Sequence, residues 1–464
     1  MTTDLFGSRL LGVNPESKAI AERLYSLVQD LPIISPHGHV DARMILENQP
    51  FDNPASLFIY EDHYITRLLH SQGYSLDELG KGKNLDHLGA WKILCSNWHL
   101  FAGTASGYWL THQLATLFGI TEDLSAQSAE STYATISEFL KRDEFKPQAL
   151  LKKFNIKFIA TTDDPCDDLM AHAALSQLKD LGCKVVPTFR PDKYLDPRQP
   201  QWVSNVERII STASLSEVNY QNYIAALEDR RKFFIQHGAV SADHGVYEPY
   251  TCIISVEEAA RLFDKALKGQ ISTDEARTFA GHMLSEMARM STVDGLVMTI
   301  HAGVLRNHST ETFLAYGADT GHDIPVQSEF TINLRPLLEK YGLHKNLHLI
   351  LFCLDETTIT RDVAPLASFY PSVFIGAPWW FFDSPSGIRR HRESVTDIAG
   401  LYRGSGFIDD TRAFLSIPAR HDMARRVDSA YLADLVMSGR ITAQIAEKIS
   451  VDFVTHVPTK AFKL

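Results

Sequence analysis

The sequence contains no CxxC pair; its five cysteines, Cys95, Cys166, Cys183, Cys252 and Cys353, are scattered along the chain. That spacing argues against a zinc–thiolate site or a disulfide framework and reads as reduced thiols in a cytoplasmic protein. Positive charge is also short: 45 Lys and Arg against 56 Asp and Glu leave a formal charge of −11. Nucleic acid binding needs the opposite, a basic footprint, and is not expected. An anionic small molecule would have to be held by a few locally placed arginines. No apolar run is long enough to span a bilayer, since the most apolar stretch, 374–382, is broken by Gly376 and Pro378. The opening MTTDLFGSRLLG lacks the basic and apolar regions of a signal peptide, so none is expected. Solenoid-length repeats, low-complexity tracts and the Gly-rich GxGxxG turn of a dinucleotide fold are missing too.

What is present is a series of short apolar runs, each ending in polar residues. They lie at 32–35, 156–160, 184–189, 239–242, 295–300, 347–354, 372–375 and 407–408. Helical patterns separate most of them. The first helix is expected after Asn14 as cap and Pro15 at its first position, with Ile20, Leu24, Leu27 and Val28 on one face. Ser255-x-x-Glu258 and Ser272-x-x-Glu275 have capping-box spacing. Near-continuous apolar strands alternating with helices imply a parallel sheet covered on both faces. Eight such units predict an α/β fold, a (β/α)8 TIM-type barrel. The 464 residues exceed the roughly 250 typical of one barrel, and the excess falls after the first strand. The expected division is therefore a catalytic barrel from 1–40 and 151–464, with a helical insertion at 41–150 that includes Trp91, Trp98 and Trp109.

Active sites of such barrels sit at the C-terminal strand ends. There the sequence places His37, His39, Asp163, Arg190, Asp243, His244, His301, Asp355, Asp409, Asp410 and Arg412. His37-Gly38-His39 is an HxH pair; with 19 histidines chance alone nearly supplies one, so its position carries the weight. Residues i and i+2 of a strand share a face, so both imidazoles can converge on one divalent ion. Asp409-Asp410, from the neighbouring last strand, offers an oxygen donor. Two imidazoles and a carboxylate suit one zinc or manganese ion with positions left for substrate. The fourth strand does not end in lysine nor the sixth in histidine, which argues against a binuclear site. Arg190 and Arg412, at strand-to-loop junctions, are candidate anchors for a carboxylate. Trp379-Trp380 reads equally as core filling or as a sugar platform. On these residues alone, a mononuclear metal hydrolase or deaminase and a non-catalytic sugar-acid binder stay open.

The segments PHGH at 36–39, EDHY at 61–64, TTDDP at 161–165, FRPDK at 189–193, SADH at 241–244, HAGVLRNH at 301–308, WWFFD at 379–383 and DDTRAF at 409–414 form an ordered set. It resembles the uronate isomerases (glucuronate/galacturonate isomerases) of the amidohydrolase superfamily over almost the whole chain. The resemblance implies a metal-bearing barrel with a helical insertion that interconverts aldose and ketose hexuronates, and a homo-oligomer. It implies His37, His39 and Asp410 as metal ligands and Arg190 and Arg306 as substrate binders. His63, Tyr64, Asp243, His301 and Arg412 would then surround the reacting carbons. Ser35-Pro36, Gly38 and the doubled Asp409-Asp410 depart from the usual pattern, so which of the two aspartates coordinates stays open. In the expected chemistry Tyr64 moves a proton between C2 and C1, its phenol made more acidic by Arg412. Asp410 or His63 assists ring opening, and Arg190 holds the C6 carboxylate.

Overall fold

The computed structural model describes residues 7–464; the first six, part of the segment inspected above for a targeting signal, lie outside the described residues. The first helix is Pro15–Ser26, and Asn14 Oδ1 accepts from Glu16 N at 2.9 Å. Leu24 and Val28 are buried as expected, but the helix ends at Ser26 and leaves Leu27 41% exposed. Ser272 and Glu275 form the full capping box, whereas Glu258 pairs with Arg261 and leaves only the Ser255 half of its box.

The strands are β1 (Ile33–Ser35), β2 (Ile156–Ala160), β3 (Lys184–Val186), β4 (Ser241–Val246), β5 (Val297–Ala302), β6 (Val304–Leu305), β7 (Ile324–Pro325), β8 (Leu349–Cys353) and β9 (Val373–Ile375). Strands β1-β2-β3 and β4-β5-β8-β9 make two parallel sheets, and β6-β7 is a small antiparallel pair. Pro187, which has no amide hydrogen, ends β3 early. Contact resumes at Phe189, whose N–H donates to Ser241 O and whose carbonyl accepts from Asp243 N, joining β3 to β4. The eighth expected strand, at 407–408, is not formed. The chain there bonds β9 through its backbone by Ile375 N to Arg403 O and Ser405 N to Ile375 O, and then the segment just past β1 by His39 N to Thr411 O at 3.1 Å. Gly406 explains the break: it adopts φ +78°, and a Cβ on it would sit 2.9 Å from Pro458.

Strand β8 shows why the runs read as continuous. Leu349, Leu351 and Cys353 face one apolar cluster with Phe263, Phe279 and Met287, while Ile350 and Phe352 face a second with Phe374 and Trp379. Both sides of the sheet are covered, so the chain is an α/β protein with parallel sheets. Between β1 and β2 the chain is mostly helical, including His63–His70, His87–Ser96 and Ala105–Phe118. Trp91, Phe58, Phe118 and Phe145 pack there with Ile33 and Ile156 of the sheet. Each such side chain contributes about 2 kcal/mol by burial. Trp98 is only partly buried in that cluster. Trp109 faces the other way, towards Ala419 and Met423 of the helix Ile417–Met437. All five cysteines are free, and no helix among the described residues is long and apolar enough to cross a membrane.

Candidate active site

The C-terminal ends of the parallel strands open into a cleft of about 580 Å3, within the usual range for small-molecule sites. Just past β1, His37 and His39 enter it with ring centroids 5.5 Å apart. Gly38 between them is not required sterically, since a Cβ there would make only ordinary contacts of 3.6 Å and more. Asp410 turns towards both imidazoles, its Oδ1 lying 3.0 Å from His39 Nε2 and 3.5 Å from His37 Nε2. It does so from φ +38°, a left-handed conformation unusual for a residue with a side chain. Asp409 points the other way, its Oδ2 3.0 Å from His421 Nε2. Asp410 is therefore the carboxylate that shares a focus with the two histidines.

A second triad shares His37: Asp243 from β4 and His301 from β5. Asp243 Oδ1 accepts from His301 Nδ1 and from Thr299 Oγ1, both at 2.6 Å. The His301 ring is stacked between Phe352 and His37, at centroid distances of 4.1 and 4.8 Å. Burial drives His37 down to about 4, against the pull of Asp243 and Asp410, so its imidazole is neutral at pH 7 with a lone pair free. Burial alone would raise Asp410, yet His37 and His39 outweigh it and hold the carboxylate ionised. Four buried atoms of this cluster, His37 Nδ1, His301 Nε2, Asp243 Oδ2 and Asp410 Oδ1, have no hydrogen-bond partner. Unpaired buried acceptors are costly. A neutral His37 beside the ionised Asp410, among buried polar atoms left unpaired, fits a divalent cation.

Three arginines line the outer cleft, and each is held by an aspartate. Arg190 Nε donates to Asp192 Oδ2 at 2.8 Å, Arg306 Nη1 to Asp323 Oδ2 at 2.7 Å and Arg412 Nη2 to Asp319 Oδ2 at 3.0 Å. Carboxylates outnumber Lys and Arg in the lining, so the cleft reproduces the acidic balance of the chain. Gly245 lets Arg190 lie flat: a Cβ there would come within 2.8 Å of Arg190 Nη2 and Asp192 Oδ2.

His63 and Tyr64 open the helix His63–His70, where Asp62 caps and accepts from Tyr64 N at 2.9 Å. His63 stacks on Trp380 at 5.4 Å, and Arg306 lies over the same indole at 5.3 Å. Trp379 meets the edge of His301 at 4.8 Å. Both tryptophans therefore fill core and line the cleft at once. Burial lowers His63 to about 4, and Arg412 pushes the same way. Burial raises the Tyr64 phenol, and the main opposing charge is Arg420, not the expected Arg412. Arg412 engages Asp319 at the cleft edge instead.

The expected residues thus meet in one cleft, except for three strand-end candidates, Asp409, His244 and Asp355. His244 alternates away from Asp243 and bonds the Thr299 carbonyl, and Asp355 caps the short helix Glu356–Thr358. Asp163 does line the cleft, where burial raises its carboxyl to about 7. Sequence reasoning missed Asp192, Gly245, Asp319, Asp323, Asp383 and Arg420. Asp192 and Asp383 lie within motifs that carried the resemblance; the others left no pattern in the sequence.

A sequence profile of the family described as glucuronate isomerase matches residues 15–457. The chain is 46% identical over 459 residues to a uronate isomerase of Corynebacterium efficiens, covering 98% of each protein. Its fold is similar to the crystal structure of glucuronate isomerase from Caulobacter crescentus, with TM-score 0.96, 43% identity and coverage of 98% and 96% of the two chains. It is also similar to that of uronate isomerase from Thermotoga maritima, with TM-score 0.93, 28% identity and coverage of 98% and 99%. On a match that runs nearly end to end, the chain belongs to the glucuronate isomerase family.

Proposed function

We propose that the chain is a metal-dependent (β/α)8-barrel isomerase. In this reading it interconverts D-glucuronate with D-fructuronate and D-galacturonate with D-tagaturonate by moving a proton between C2 and C1. As a family member it acts on hexuronates; the reading of the site adds the roles below. The bridges from β3 to β4, from β9 to residues 403–405 and from residue 411 back to 39 support closure into a barrel. Residues 41–150 are then an insertion that delivers His63 and Tyr64 to the mouth. The unpaired cysteines support a reducing, cytoplasmic setting.

His37, His39 and Asp410 would hold one divalent ion, zinc or manganese, which when bound supplies Lewis acidity to the substrate carbonyl. Arg190 would exchange Asp192 for the C6 carboxylate and so fix the register of C1 and C2. Trp380, backed by Arg306, offers the sugar an apolar face. His63, neutral at pH 7, can take a hydroxyl proton as the ring opens. Tyr64, as the phenolate, takes the proton from C2 on its Oη and, as the phenol, returns it to C1, with Arg412 and the Asp243–His301 pair close to the reacting carbons. The observation that carries the reading is the convergence of His37, His39 and Asp410 in the same cleft as Tyr64 and Arg190. Incubation with each uronate in deuterated water, with and without added zinc or manganese, tests it. Deuterium should enter the ketose product in a metal-dependent manner; a product without ketose, or turnover indifferent to chelation, would reject it.

A further inference from the structure

Arg420, in the first turn of the helix Ile417–Met437, is among the largest fully buried side chains, at 1% exposure. Its Nη1 donates to Asp383 Oδ2 at 2.6 Å and its Nε to Ser416 Oγ at 3.0 Å. The guanidinium lies 3.6 Å from the centre of the Trp109 ring and 5.2 Å from that of Tyr64, while Tyr64 meets Trp109 edge-on. Arg420 and Tyr64 also share the wall of the catalytic cleft. Burying a charged pair costs more than filling the same volume with apolar atoms, so core filling alone does not account for an arginine here.

Tyr64 is surrounded by charge of both signs. Asp62 caps its helix, His63 precedes it, Arg67 lies one turn on, and Asp383, Asp410 and Arg420 face it from other elements. The balance runs against a negatively charged ring, since burial and three aspartates all oppose it. Arg420 is the main influence in its favour.

We infer that Arg420 is a positioning residue for the isomerisation: clamped by Asp383, it holds a fixed positive charge against the ring of Tyr64, favouring the phenolate that must be there to accept the C2 proton and that re-forms as the proton passes to C1. The inference rests on Tyr64 moving that proton. A cation already in place needs no reorganisation during the transfer, and its attraction acts more strongly here than in water.

The test uses the metal-loaded full-length enzyme. Arg420→Gln should lower kcat on the order of 100-fold, the scale of losing one preorganised stabilising group, and leave KM nearly unchanged. Arg420→Lys, which keeps the charge with a different shape, should recover most of the loss. Asp383→Asn/Arg420→Gln removes both charges together and keeps hydrogen-bonding shape, so it reads the same loss if the single variant misfolds. In a Tyr64→Phe background, Arg420→Gln should cost nothing further in residual turnover, because the two act as a unit. Near-parental kcat in the charge-removing variants, equal losses for Lys and Gln, or a full additional loss without the Tyr64 hydroxyl would each overturn the inference. If Tyr64→Phe itself turns over normally, the base role fails and this inference with it. If Tyr64→Phe is inactive but Arg420→Gln is not, only the inference falls.

Discussion

The inner cluster and the outer rim of the cleft solve the same electrostatic problem in opposite ways. Inside, His37, His39, His301, Asp243 and Asp410 sit close together with several buried atoms left unpaired. At the rim, Arg190, Arg306 and Arg412 each already rest on an aspartate. The first arrangement has a cost that only a guest of the right charge removes, so it suits a resident cation. The second is satisfied without a guest, so an incoming carboxylate must displace a partner and can leave again. A site that keeps one ligand and exchanges another needs both.

The most severe way to break this contrast is on the inner side. His39→Ala should abolish metal retention and lower turnover on the order of 1,000-fold or more, since outer-shell losses alone reach about 100-fold. Elemental analysis beside the assay checks it, and a fully metallated variant would refute the ligand assignment. On the rim, Arg190→Met should raise KM for glucuronate about 100-fold, the loss of a charge-assisted fork, with metal content intact. An unchanged KM would remove the anchor.

Acid should distinguish the regions next. The folded protein holds His37 down to about 4, while the unfolded chain protonates near its ordinary value of about 6.5. The unfolded state therefore binds more protons between those values, and stability drops as pH falls through that window. For the metal-stripped protein the slope from this group approaches about 1.4 kcal/mol per pH unit. Thermal melts of parent and His37→Asn across pH 7 to 4 should diverge there, and parallel curves would contradict the assigned burial effect. The smallest effect belongs to Asp319→Asn, which frees a rim arginine from a half-exposed pair. Its consequence should be a KM change below about fivefold, read from steady-state kinetics; a large loss of activity would show that Asp319 does more than hold Arg412.

Much of this was legible in the sequence because it is periodic or local. Runs such as 347–354 announced a strand buried on both faces, and the two-residue spacing of His37 and His39 implied a shared direction. The resemblance added His63 and Tyr64, whose place in a helical stretch concealed their route to the cleft. The missing eighth strand was not legible, because its failure depends on Gly406 meeting Pro458 from a distant segment. Nor was the charge beside Tyr64. Arg412 lies within the DDTR motif, but Arg420 reaches the phenol only because its helix packs on Trp109, a contact across more than 300 residues. The aspartates of the rim are similar, since Asp319 and Asp323 belong to the stretch between β6 and β7, and nothing local marks them as partners of Arg412 and Arg306.

The left-handed turn at Asp410 couples two layers of the protein. One backbone torsion sends consecutive carboxylates in opposite directions, Asp410 towards the imidazoles and Asp409 down to His421 on the helix Ile417–Met437. That helix also carries Arg420. A small shift of this one rod would move Asp410 and the cation beside Tyr64 together, so alignment of the site is a property of how the helix Ile417–Met437 seats against it.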